Sequence, residues 1–246
     1  MIRFIITVLF VVSFLILSLP ILFVLWLIGM KWPRAKDKAS RCIIYWAFSV
    51  VKWIAGTKLI VIGKENIPTN QAVLYVGNHR SYFDIILSYL AVPSMTGYIA
   101  KKEMNRYPSL RKWMKFIGCL FLDREDIRQG MQMILDAVQK IKSGISIFIF
   151  PEGTRNKSDD EFLPFKGGSL KIGEKSGCPV VPVSINHSDD IFEKHLPKIC
   201  KATVVIEFAK PIDASSLSKE EKRALSDNVF SQIKAMYEKN KTLPVD

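Results

Sequence analysis

Residues 72–91 read AVLYVGNHRSYFDIILSYLA: an apolar, β-branched run closed by Gly77, a polar stretch, and a second apolar segment at helical spacing from Asp84. The first run predicts a buried strand over 72–77 and the last a helix over 84–91. A strand without polar alternation has both faces covered, which is how strands of a parallel sheet read when helices pack on each side. The same alternation of short runs and helical patterns continues outward. LIVIG (59–63), GYIA (97–100), CLFLD (119–123), ISIFIF (145–150), VVPVSI (180–185) and TVVIEFA (203–209) read as strands, and 109–118, 128–143, 169–176 and 218–240 as helices. The fold class is α/β, with a mixed, largely parallel sheet flanked by helices.

At 246 residues the chain has room for one such domain and an appendage. Its mean hydropathy of +0.16 has a local source, because residues 4–30, FIITVLFVVSFLILSLPILFVLWLIGM, carry no charge. As one helix this run is ~40 Å long against a hydrocarbon core of ~30 Å. A secretory signal is the rival reading, but its apolar region is shorter, ~7 to 15 residues, and ends at a small-residue cleavage site that is not evident here. Pro20 interrupts the run, and a second apolar stretch, CIIYWAFSVVKWIAGT at 42–57, sets Lys52 among Trp46 and Trp53 as a headgroup boundary favours. Residues 1–57 are therefore expected to anchor the chain in a membrane, by a spanning helix or a hairpin in one leaflet, and residues 58–246 to form the α/β domain. The four cysteines contain no C-x-x-C pair, so neither a zinc ribbon nor a disulfide framework is indicated, and a reducing compartment fits.

The net charge of +12 is concentrated in two places: residues 31–58 carry a net +6 and residues 101–124 a net +5. Basic residues beside a membrane segment mark the cytoplasmic side and attract anionic lipid. Nucleic acid is the rival partner for such charge, but no helix-turn-helix, RNA-recognition or zinc-finger signature accompanies it. The expected location is a membrane, with the domain on its cytoplasmic face and no nucleic-acid partner.

Three polar segments stand where apolar strands end. In NHRSYFD (78–84), Ser81-x-x-Asp84 ahead of Ile85 reads on its own as a helix capping box. The same segment lets His79 fold back over the first turn so that Asp84 holds one ring N–H and leaves the other nitrogen to accept a proton. FPEGTR (150–155) reads as a tight turn with Pro and Gly in place, which leaves Glu152 and Arg155 unexplained beside PFKGGS (164–169). GCLFLDR (118–124) ends in Arg124, a residue that alone reads as solvated. Zinc-protease, P-loop, α/β-hydrolase and dinucleotide signatures are absent from the sequence. His187 and His195 do not repeat the first spacing and are read as surface histidines.

Together these segments resemble the lysophospholipid acyltransferase family, closest to the 1-acylglycerol-3-phosphate acyltransferases that make phosphatidic acid. NHRSYFD fits the family's N-H-x-x-x-x-D block, KKEMNRYPSLRKWMKFIGCLFLDR its second, FPEGTRN its third and VVPVSI its fourth, in family order. The resemblance implies a glycerolipid-acyltransferase-like fold, with His79 as general base oriented by Asp84. The lipid hydroxyl attacks an acyl thioester, of coenzyme A or acyl carrier protein, without an acyl-enzyme, and backbone N–H groups near Ser81 are candidates for the oxyanion. The implied acceptor and phosphate residues are Arg124, Glu152, Gly153, Thr154, Arg155, Lys101 and Lys166, and Pro182 would shape the pocket. No metal or redox cofactor is implied. Two departures bear on acceptor choice: Arg80 stands where an amide or small residue is common, and Gly167 where a second Lys is common. A non-catalytic lipid-binding homologue would be expected to lose His79 or Asp84, and a thioesterase would leave the clamp arginines without purpose. Glycerol 3-phosphate or another lysolipid stays open as acceptor.

Overall fold

In the computed structural model, residues 1–123, 126–158, 162–166 and 168–243 are described. The strands are β1 (Lys58–Ile62), β2 (Leu74–Gly77), β3 (Thr96–Lys101), β4 (Leu120–Leu122), β5 (Ser146–Ile149), β6 (Pro179–Asn186), β7 (Thr203–Phe208) and β8 (Ile212–Asp213). They form one sheet in the order β1-β7-β6-β2-β5-β3-β4, with β8 beside β6. Among the described residues only the pairings of β6 with β7 and with β8 are antiparallel. Each parallel step from β2 to β6 is made through a helix: α4 (Phe83–Ala91), α5 (Pro108–Phe116), α6 (Ile127–Lys142) and α7 (Lys171–Ser176). The sheet is therefore mixed and mostly parallel, as the apolar runs predict. Two-residue β8 is too short to carry an apolar pattern in the sequence.

Alternation along the central strands feeds two cores. Tyr75 and Phe148 point to a cluster with Phe83, Leu87 and Trp113. Leu74, Val76, Ile147 and Ile149 point to the other face, with Ile172, Val229 and Ile233. Removing a side chain such as Ile233 from this packing costs about 2–5 kcal/mol. The last helix, α8 (Lys219–Lys241), is closed at its start by a capping box between Ser218 and Glu221 and buries Leu225, Val229, Ile233 and Tyr237, four residues apart, against the sheet. Pro182 lies inside β6 opposite Val76. It falls between the residues β6 pairs with β8 and those it pairs with β7, where its missing N–H breaks no ladder bond. Gly97 exists for clearance: a Cβ there would meet the Gly118 carbonyl oxygen at 2.2 Å.

Residues 2–55 form three helices, α1 (Ile2–Leu17), α2 (Leu19–Lys31) and α3 (Pro33–Ala55). The uncharged run is thus two helices rather than one, bent by 47°. Pro20 cannot donate in the first turn of α2, and the break is held by α5: Ser109 donates to the Leu15 carbonyl at 2.7 Å and the Trp113 indole to Ser18 Oγ at 2.8 Å. The basic residues 34–41, ahead of the second apolar stretch, are helical too, so α3 starts well before residue 42. Leu22, Leu25, Ile44, Val51 and Ala55 share the core cluster of Tyr75 and Trp113. Ile2, Leu9, Ile16, Leu17, Phe23, Trp26 and Met30 stay exposed. Among the described residues no single helix is long and apolar enough to cross a membrane, while α1 and α2 taken together pass by length and composition.

Candidate active site

Parallel strands deliver their carboxyl ends to one edge of the sheet, the place where open α/β sheets bind ligands. His79 follows β2 there, Glu152 to Arg155 follow β5, and Lys101 ends β3. Because β2 and β5 are neighbours in register, with Val76 opposite Ile149, the two polar segments leave the sheet side by side. The His79 ring stacks on Phe150 at 4.2 Å, and the Asn156 N–H donates to the His79 carbonyl at 2.7 Å. Asn78 fixes the other side, exchanging two hydrogen bonds of 2.8 Å with the Ile185 backbone on β6.

Asp84 is fully buried in the first turn of α4. Its Oδ2 lies 2.8 Å from His79 Nδ1 and accepts the N–H groups of Arg80 and Ser81 at 2.7 and 2.8 Å. A carboxylate so placed requires the proton on Nδ1 and leaves the Nε2 lone pair available. This is only half a capping box. The carboxylate reaches back to the Ser81 N–H, but Ser81 Oγ accepts from Phe83 instead of Asp84. The expected oxyanion donors are also spent: N–H groups 80 and 81 serve Asp84, that of Tyr82 serves Glu193, and that of Phe83 serves Ser81.

Glu152 is buried and accepts the His79 N–H at 2.8 Å. Burial first, and the nearby Asp84 charge, push its carboxyl up to about 7, against the opposing pull of the His79 N–H and Arg80. Gly153 has φ +72°, and a Cβ there would meet Lys166 Nζ at 2.9 Å, so the Lys166 side chain lies across this turn. Thr154 is exposed in the same turn. Arg155 lies over the Tyr82 ring at 3.7 Å and pairs with Glu193 at 3.1 Å. The Lys101 side chain is exposed and has no hydrogen-bond or ion-pair partner among the described residues. Arg124 lies outside the described residues, as does Gly167. Pro182, expected to shape the pocket, is buried in β6 opposite Val76, one residue before the carboxyl end of β2.

The structure thus brings His79, Asp84, Glu152, Gly153, Arg155 and Lys166 together and leaves Lys101 at the rim. Arg80 is buried, donates to the Ser158 carbonyl at 2.6 Å, pairs with Asp189 at 3.3 Å and lies over Tyr237 at 5.5 Å. It therefore braces the loop from behind, which explains why a large cation stands at this position. Glu193, Asp189 and the stacking of Phe150 on His79 are not among the residues expected from the sequence, because acids in a polar loop such as NHSDDIFEKH carry no local signal of burial. His195 is exposed as expected. His187 is half-buried, with φ +64° and Nδ1 3.3 Å from Asp190, so it is not a plain surface histidine. Among the described residues no group of three or more His, Cys, Asp or Glu side chains could hold a metal ion.

The family described as Acyltransferase matches residues 58–186, just over half of the chain and the site from His79 to Lys166, without Asp189, Glu193 and Tyr237. A 1-acyl-sn-glycerol-3-phosphate acyltransferase of Borreliella burgdorferi is 33% identical over 181 residues, 74% of this chain and 72% of that one. A probable enzyme of the same name from Mycoplasma genitalium is 30% identical over 94% of this chain and 95% of its own. The crystal structure of the 1-acyl-sn-glycerophosphate (LPA) acyltransferase PlsC from Thermotoga maritima superposes with a TM-score of 0.82 at 26% identity, covering 100% of this chain and 97% of that one. On the extent of that match and these identities, the chain belongs to the acyltransferase family.

Proposed function

We propose that the protein transfers a fatty acyl group from an acyl thioester to the sn-2 hydroxyl of lysophosphatidic acid, giving phosphatidic acid. The observation that carries this reading is the His79–Asp84 pair, a 2.8 Å contact whose carboxylate is fully buried and pinned by two backbone N–H groups. The names of the relatives from Borreliella burgdorferi and Mycoplasma genitalium point to the same acceptor.

His79 Nε2 takes the proton from the acceptor hydroxyl as its oxygen attacks the thioester carbonyl carbon. Asp84 keeps the Nδ1 proton in place and stabilises the imidazolium that forms. The tetrahedral intermediate collapses by breaking the C–S bond, and the imidazolium returns its proton to the departing thiolate. General-base catalysis of this kind supplies roughly 10²- to 10⁴-fold. Arg155, with Arg124 and Lys166, receives the acceptor phosphate, for which a guanidinium fork is well shaped. Glu152 and Gly153 border the glycerol, with Thr154 beside them and Lys101 at the outer edge. The steps draw on no metal or redox cofactor. The donor is a thioester of coenzyme A or of acyl carrier protein.

We further propose that α1 and α2 lie in one leaflet and set the site at the cytoplasmic surface, where a lipid acceptor and a soluble donor meet. The 47° bend argues against one straight span, and the exposed apolar side chains on both helices offer lipid an apolar surface. Exposed charges are screened within ~10 Å at 0.1 M salt, whereas apolar burial is not. High-salt washing should leave the protein on membranes, and a cysteine introduced beside Met1 should be labelled from the cytoplasmic side; release by salt, or labelling only from outside, contradicts this placement. For the activity itself, purified protein in phospholipid vesicles is given both donors with lysophosphatidic acid, glycerol 3-phosphate and neutral lysolipids. Phosphatidic acid should dominate. Free fatty acid as the main product, or preference for glycerol 3-phosphate, overturns the reading.

A further inference from the structure

The loop after β6 carries a carboxylate that neither the family resemblance nor the reaction steps use. Glu193 Oε2 accepts the Ser81 hydroxyl at 2.6 Å, and Oε1 accepts both the Tyr82 N–H at 2.8 Å and Arg155 Nη1 at 3.1 Å. Its side chain is 16% exposed, and its bonds to Ser81 and Arg155 are partly buried, where they are worth more than on an open surface. Ser81 is fully buried. Its N–H is bound by Asp84 and its hydroxyl by Glu193, so the backbone between His79 and α4 is gripped by one carboxylate from each side. Arg155 is fixed by the same group, between the Glu193 oxygen and the Tyr82 ring. Glu193 is itself seated by its neighbour, since Phe192 stacks on Phe4 of α1 at 5.5 Å with the rings 10° apart.

We propose that Glu193 is a positioning residue for acyl transfer, holding the His79–Asp84 loop and the Arg155 clamp in one geometry and backed by the Phe4–Phe192 stack against the first N-terminal helix. The inference rests on the acyl-transfer reading above. Without the carboxylate the buried Ser81 hydroxyl and the Tyr82 N–H lose their acceptors, the loop relaxes, and Arg155 is free to swing away. A displacement of about 1 Å at a reacting group costs up to about 10²-fold in rate.

The test is steady-state kinetics of the full-length protein in vesicles, comparing Glu193→Ala, Glu193→Asp and Glu193→Gln. The Ala variant should lose about 10-fold or more in kcat and raise KM for lysophosphatidic acid about 3-fold, with KM for the thioester unmoved. Asp keeps the charge but is too short to reach all three donors and should resemble Ala. Gln can still accept from Tyr82 and Arg155 and should keep kcat within about 3-fold of wild type. Phe4→Ala should move kcat in the direction of the Ala variant by a smaller factor. A merely structural role would scale all variants with the folded fraction and leave both KM values alone. A second readout needs no acceptor: the low-field proton resonance of His79 Nδ1–H should be retained in Glu193→Gln and lost in Glu193→Asp. If wild type makes no phosphatidic acid, the proposed function fails, while this resonance still decides whether Glu193 positions the loop. Wild-type kcat and an unchanged resonance in Glu193→Asp overturn the inference, and wild-type kcat in Phe4→Ala overturns the part assigned to the stack.

Discussion

The two ends of the site are built by different rules. At the His79 end every group is held by a buried partner: Asp84 by two N–H groups, His79 by Asp84 and Glu152, and Arg80 by Asp189. At the acceptor end Lys101, Lys166 and Thr154 are exposed and Arg155 is partly so. The contrast matches what each end would do in the proposed reaction. A proton transfer depends on fixed geometry, whereas a phosphate entering from a membrane surface needs cations that can meet it and still release the product. Substitutions at the buried end should therefore act on kcat, and those at the rim on acceptor KM.

The largest effect is expected at the buried end. His79→Ala should reduce kcat by about 10³-fold or more and Asp84→Asn by about 10²- to 10⁴-fold, with the folded, membrane-bound protein retained. A His79→Ala enzyme with near-wild-type turnover would break the contrast at its root. Next is the clamp. Arg155→Ala should raise KM for lysophosphatidic acid about 10-fold through loss of a charge-assisted contact, and leave a neutral lysolipid nearly unaffected. Arg124, outside the described residues, is expected to behave in the same way. Equal weakening toward both acceptors would mean that neither arginine reads phosphate.

Glu152 sharpens the comparison through pH. Its carboxyl, raised to about 7 from 4.5, binds a proton in the folded state where the unfolded chain does not. Folded protein thus takes up more protons between about pH 4.5 and 7, and this group's contribution to stability falls as pH rises through that window. Glu152→Gln has no such titration. Its stability relative to wild type should improve by up to about 3 kcal/mol from pH 4.5 to 7 and then level off; a flat difference would show that the carboxyl is not perturbed. The smallest effects belong to Lys101→Ala and Lys166→Ala, each expected within about 3-fold in acceptor KM, because exposed cations are screened.

What could be read from sequence follows the same division. The strands and the helices of the α/β domain were legible because their apolar spacing reports local burial, and the order of polar segments at strand ends placed His79, Asp84, Glu152 and Arg155 on one edge. The bend at Ser18 was not legible beyond the hint of Pro20, since its satisfaction by Ser109 and Trp113 depends on a helix about 90 residues further along the chain. Glu193 and Asp189 were invisible for a related reason: an acid in a polar loop looks solvated until the fold brings buried donors to it. The N–H groups near Ser81 looked free for an oxyanion because the acceptors that consume them, Asp84 and Glu193, lie on a side chain folded backward and on a distant loop.

The central claim is that a lipid hydroxyl, deprotonated by His79, attacks the thioester directly. Rapid quenching of stoichiometric enzyme with acyl-labelled thioester tests it most directly. Without acceptor, the label should stay on the thioester and none on protein; on adding lysophosphatidic acid it should pass in one phase to phosphatidic acid, and in His79→Ala that phase should be lost. Label bound covalently to the protein before acceptor is added, or an undiminished phase in His79→Ala, would contradict the account.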